Sequence, residues 1–134
     1  MKFRTYIILV SSFALAQGIL GSIGFSGPLP ANSIFGSAWY FDQVENITHT
    51  LFGLVGLLAG LLGTSRMQRT FGYVLAATAL IVGGASAMGP ITSGVTILGA
   101  ALQNPADTIL HIFFGTLTLW LTVKDSIAGS SKKK

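Results

Sequence analysis

The sequence predicts an all-α membrane protein: four transmembrane helices, built as a tandem duplication of a two-helix unit, with both termini in the cytoplasm. Three observations predict it. Of 134 residues, 51% are hydrophobic and only 9% are charged, and the mean hydropathy is +0.69, far more apolar than a water-soluble domain of this length. Four apolar runs, residues 6–25, 44–62, 71–88 and 106–123, are each long enough to cross a hydrocarbon layer of roughly 30 Å as a helix. The alternating strands of a β-barrel are absent. Finally, one pattern occurs twice.

Glu45-Asn46-Ile47-Thr48-His49-Thr50-Leu51-Phe52-Gly53 returns as Asp107-Thr108-Ile109-Leu110-His111-Ile112-Phe113-Phe114-Gly115, and His49 and His111 are the only histidines. They lie 62 positions apart (111 − 49), and the same shift sets Arg4 on Arg66, Ala14 on Ala76, Ile19 on Ile81, Gly21 on Gly83 and Gly27-Pro28 on Gly89-Pro90. The chain therefore divides as one membrane domain over 1–134, with a first repeat at about 4–63, a second at about 66–125 and a basic tail at 126–134. Two-span repeats keep their orientation, which implies a pseudo-twofold axis along the membrane normal.

In chain order, Met1-Lys2-Phe3-Arg4 and the run that follows resemble a cleavable secretory signal. The counterpart of this run in the second repeat predicts instead a retained first helix. Lys2, Arg4, Arg66, Arg69, Lys124 and Lys132 to Lys134 flank the spans, whereas residues 26–43 and 89–105 contain no Lys or Arg. By the positive-inside rule those two loops face outward. The net charge of +4 is then a topology signal, and nucleic-acid binding is not expected.

Gly27-Pro28 and Gly89-Pro90 are expected to end the first and third helices. The outer loops beyond them, with Ile34 to Tyr40 in the first and Val95 to Ala100 in the second, are expected to form short interfacial helices. Trp39 and Tyr40 suit the headgroup layer. The second and fourth helices open with capping patterns, Asp42 with Glu45, and Asn104 with Pro105 and Asp107. Gly18, Gly21, Gly53, Gly56, Gly60, Gly83 and Gly84 form small faces where helix backbones approach closely, within the bundle or against a neighbouring subunit. The Ser130 to Lys134 end reads as solvated and attracted to anionic lipid.

On a helix the acid, the His and the Gly of each repeat share one face. One reading is structural: Glu45 and Asp107 serve the helix N-termini, and each His bonds to a neighbouring helix or to its own acid. The other is tetrapyrrole binding, with His49 and His111 as axial ligands, Glu45 and Asp107 orienting their second ring nitrogens, and Gly53, Gly115, Phe52 and Phe114 contacting the macrocycle. A single haem b shared by both histidines and separate chlorophyll-type pigments, one per His, are both open. No catalytic residues are expected, because there is no nucleophile elbow and no phosphate loop, and no protein metal site, because without cysteine the nearest ligand set, His49, His111, Glu45 and Asp107, meets only if the second and fourth helices touch.

Asn104-Pro105-Ala106-Asp107-Thr108-Ile109-Leu110-His111-Ile112-Phe113-Phe114-Gly115 resembles the Asn-x-x-Asp-x-x-Leu-His-x-x-x-Gly signature of small four-span bacterial membrane proteins of the DUF4383 type. The first copy departs from it at Thr48. The resemblance implies a four-span architecture and no particular activity.

The leading expectation is a small non-catalytic accessory subunit, in a bacterial inner or photosynthetic membrane. It would be surrounded by lipid and docked in a larger respiratory or photosynthetic complex, or in a homo-oligomer. The alternative is a b-type haem or (bacterio)chlorophyll-binding membrane protein. An oligomeric ion or proton carrier using Glu45 and Asp107 ranks third.

Overall fold

The structure, a computed structural model, describes residues 2–88, 95–103 and 105–131. Gly89-Pro90, Asn104 and Lys132 to Lys134, which the sequence singled out, lie outside the described residues. Four α-helices carry the fold: α1 (Phe3–Ser22), α2 (Gln43–Leu62), α3 (Ser65–Ala87) and α4 (Ala106–Ser131). All four are long and apolar enough to cross a membrane. Two exceed their apolar runs for local reasons. Helix α3 begins at Ser65 because the Thr64 hydroxyl accepts the Met67 N–H at 3.3 Å. Helix α4 runs on to Ser131, its Thr122, Ser126 and Ser130 hydroxyls each bonding the carbonyl one turn back. The part of the expected tail from 126 to 131 is thus helical.

The helices pack as two antiparallel pairs, α1 on α2 and α3 on α4, with sparser contacts between the pairs. Small residues set the close approach within each pair. Gly18 faces Thr50, Gly21 faces Asn46 and Gly53 faces Leu15, while Gly83 faces Ile112 and Gly115 faces Leu80. Outside, large apolar side chains such as Leu58, Ile81, Ile109 and Trp120 are exposed on all sides, whereas Ser11, Asn46, Ser86, Thr118 and Thr122 are buried inside.

The bundle's two ends differ. At the end holding both termini and the Gly63-Thr64 turn, Phe3, Tyr6, Ile7, Ala59 and Phe71 form a buried cluster. There the Tyr6 hydroxyl donates to Thr118 Oγ1 at 2.5 Å, and Thr118 donates to the Phe114 carbonyl at 2.6 Å. Arg4 donates to the last carbonyls of α2, Gly60 O at 2.8 Å and Leu61 O at 2.6 Å, which offsets the negative end of that helix. Arg69 pairs with Asp125 at 3.2 Å.

At the other end two loops make a lid, and here the structure corrects the sequence reading. Gly24, not Gly27, ends α1: it takes φ +85°, and the Phe25 N–H returns to the Leu20 carbonyl at 2.9 Å, the closure that a left-handed glycine permits. The first loop does contain two short 3₁₀ turns, Pro30–Asn32 and Gly36–Ala38. The second holds no interfacial helix where Val95 to Ala100 was expected to form one. It makes a hairpin, β1 (Val95–Ile97) paired with β2 (Ala100–Leu102). Leu98 and Gly99 turn it with φ 52° and 93°, the two positive angles whose twist matches antiparallel strands.

Candidate functional site

The site grows from the first turns of α2 and α4. At α2 the expected capping box is complete: Asp42 accepts the Glu45 N–H at 2.9 Å, and Glu45 Oε2 accepts the Asp42 N–H at 3.0 Å. The other oxygen, Glu45 Oε1, is buried without a hydrogen-bond partner among the described residues. Asp107 turns back in the same way on α4, its Oδ2 accepting the Gln103 N–H at 2.5 Å, and its Oδ1 accepts the Trp39 indole N–H at 2.9 Å. Asp42 in turn accepts the Ala101 N–H of the hairpin. Each helix pair thus receives a donor from the other pair's loop. Trp39 sits between Phe35 and Phe41, its indole N–H bonded to Asp107 where a wet polar end was expected.

One turn deeper, His49 Nδ1 lies 2.8 Å from the Glu45 main-chain carbonyl and His111 Nδ1 lies 2.7 Å from that of Asp107. A carbonyl only accepts, so Nδ1 carries the hydrogen and Nε2 of the neutral ring keeps its lone pair. The acid does orient the histidine, but through its backbone and not through the expected carboxylate. The two imidazoles face one another across the bundle, with centroids 6.3 Å apart and planes at 65°. Phe41 sets its ring 5.2 Å from His49.

Both rings border a cavity of about 230 Å³. Glu45, Thr48, His49 and Phe52 line it from α2, and Asp107, Leu110, His111 and Phe114 line it from α4. These are four pairs of positions, each 62 apart. Val10, Phe13 and Gln17 of α1 and Leu75, Ala79 and Val82 of α3 complete the walls, under a roof of Phe41, Leu98 and Leu102. Among the described residues no Lys or Arg lines it. Gly53 and Gly115, expected to make room for a macrocycle, do not line it; each is spent on close packing against Leu15 or Leu80.

The sequence reading missed Gln17, Trp39 as a hydrogen-bond donor, and the roof. Gln17 carried a usable signal, being a glutamine inside an apolar span; the roof residues carried none, since they depend on how the loops fold back. Among the described residues no three His, Asp or Glu side chains are placed to hold a metal ion together.

No protein-family profile, no curated protein and no solved structure matches the chain.

Proposed function

We propose that the protein is a membrane-embedded carrier of a single apolar prosthetic molecule, clasped between two copies of a helix-pair unit. The observation that carries this reading is the cavity itself, bordered by matching positions of α2 and α4 and placed between the pairs. Its walls are apolar, while Glu45, His49, Asp107 and His111 offer a few polar groups, the usual makeup of a specific ligand site. The duplication explains the matched positions, and the resemblance of residues 104–115 to the DUF4383 signature belongs to the same proposal of architecture.

In this reading both termini and the Gly63-Thr64 turn are cytoplasmic, because Arg4, Arg66, Arg69 and Lys124 all lie at that end. The cavity then sits toward the outer leaflet. The accessory-subunit expectation takes the form of a small subunit that holds its molecule for a larger respiratory or photosynthetic assembly. An ion carrier fits less well, since Asp107 spends both oxygens on Trp39 and Gln103.

The test is to fill the cavity. Wild-type protein purified from its membrane in mild detergent is expected to release one small molecule per chain on denaturation in organic solvent, detected by mass spectrometry. Ala79→Trp, which projects a ring into the space, is expected to purify folded without it. A wild-type protein that is empty, or an Ala79→Trp protein that keeps the same molecule, overturns the proposal.

A further inference from the structure

We infer that the molecule in this cavity is one iron tetrapyrrole of the non-covalent b type, held by His49 and His111 from opposite faces; the inference rests on the carrier reading. The first argument is the chemistry of the two rings. Each Nδ1 is committed to a main-chain carbonyl, so each histidine has one lone pair to give, at Nε2.

The second is distance. Two imidazoles bound through nitrogen to opposite sides of one metal, at about 2 Å per bond plus the radius of each ring, have centroids roughly 6 Å apart. His49 and His111 stand at 6.3 Å. The crossed planes are no obstacle, because two rings that bind a metal from opposite faces tolerate any angle to one another about the shared axis.

The third is the missing remainder of a coordination sphere. Among the described residues no further His, Asp or Glu joins the two histidines as a metal set. A metal held by this pair must bring its other donors with it, as the planar ring of four nitrogens in a tetrapyrrole does. The chain has no cysteine, so thioether attachment of the macrocycle is excluded.

Shape agrees. The cavity wall follows α3 from Leu75 to Val82 and α4 from Asp107 to Phe114, roughly 10 Å at 1.5 Å per residue. Phe13 and Val44 line the cavity and are also exposed on the bundle surface, which gives a flat molecule a side entrance from the lipid. Both axial positions would be filled by protein, leaving no open position for a substrate on the metal.

The experiment titrates the purified full chain, in mild detergent, with haemin. Wild type is expected to saturate at one haemin per chain with a six-coordinate, low-spin spectrum in both the oxidised and the dithionite-reduced forms. His49→Ala and His111→Ala are each expected to lose that spectrum. His111→Met, which keeps a ligand of similar reach, is expected to stay six-coordinate with a displaced Soret band, and so separates ligation from misfolding. Failure to saturate, a spectrum unchanged by either alanine variant, or a five-coordinate pigment retained on one histidine overturns the inference. If another molecule is displaced by Ala79→Trp while haemin never binds, the iron assignment falls and the carrier reading stands; if Ala79→Trp takes up haemin as wild type does, both fall.

Discussion

The two ends of this bundle use the same four helices and the same kinds of apolar residue, yet one is filled and the other is hollow. Around Phe3, Tyr6, Ile7, Ala59 and Phe71 the side chains interlock. Beyond Val10, Phe52 and Leu75, which pack against that cluster and also line the cavity, the interior opens. The hollow is not for want of bulk, since Phe13, Phe52 and Phe114 all border it. That space, bordered by Glu45, His49, Asp107 and His111, is where the proposed molecule would sit. The comparison teaches that the terminal end holds the fold together so that the lid end can be left open.

The most damaging change should therefore fall on the filled end. Gly56 stands where Ser11 of α1 and Phe71 of α3 both press on α2, and a Cβ there would overlap Ser11 Oγ and approach Phe71 Cζ to 2.5 Å. Gly56→Val is expected to cost about 3 kcal/mol, read as loss of monodisperse protein or a lower unfolding midpoint in denaturing detergent. A Gly56→Val protein as stable as wild type would mean that the closely packed end does not carry the fold.

A smaller effect is expected at the lid. Trp39→Phe keeps the ring between Phe35 and Phe41 but removes the donor to Asp107, which is buried. Taking away one partner of a buried acceptor costs about 1 to 3 kcal/mol. Hydrogen exchange is expected to quicken in residues 23–42 and 95–103 and to stay unchanged around Phe3, Tyr6 and Ile7. Uniform acceleration along the chain would mean that the two ends are one cooperative unit, and would erase the distinction drawn above.

How much of this could be read from the sequence follows the range of the forces involved. The four spans were legible because length and apolarity are properties of a single helix. The pairing of Asp42 with Glu45 was legible because a capping box closes within four residues. That Glu45, His49 and Phe52 share one helix face, and Asp107, His111 and Phe114 another, was legible from their spacing, but whether the two faces meet was left open, and the structure brings them to one cavity. What depends on contacts between elements was not legible. Gly53 and Gly115 share a face with the histidines on a helical wheel, but whether a glycine borders a ligand or a neighbouring backbone depends on where α1 and α3 lie. The indole N–H of Trp39 was expected to stay wet, and only the fold brings Asp107, 68 residues away, to it. The end of α1 was misplaced by three residues because two glycines compete for the role. Only the backbone geometry shows that Gly24 takes it, while Gly27 is packed against the Phe41 carbonyl.

The finest division between the two ends runs through neighbouring residues of α3. Gly83 and Gly84 are the same amino acid in the same turn, yet a Cβ on Gly83 would stand 2.9 Å from Ile112 Cγ1 and 3.0 Å from His111 Cβ, whereas one on Gly84 would meet nothing within 4 Å. Gly84→Ala should therefore report only the intrinsic helix preference, a gain of up to about 1 kcal/mol. Gly83→Ala gains the same preference but must push α4 outward by a fraction of an ångström at His111, so its net stability should change little. Its signature is expected in ligand binding: weaker occupancy of the cavity at nearly wild-type thermal stability, with Gly84→Ala unchanged in both. If the two variants bind the cavity molecule equally well, the spacing between His49 and His111 is not what holds it. The close packing of α3 on α4 would then serve the fold alone.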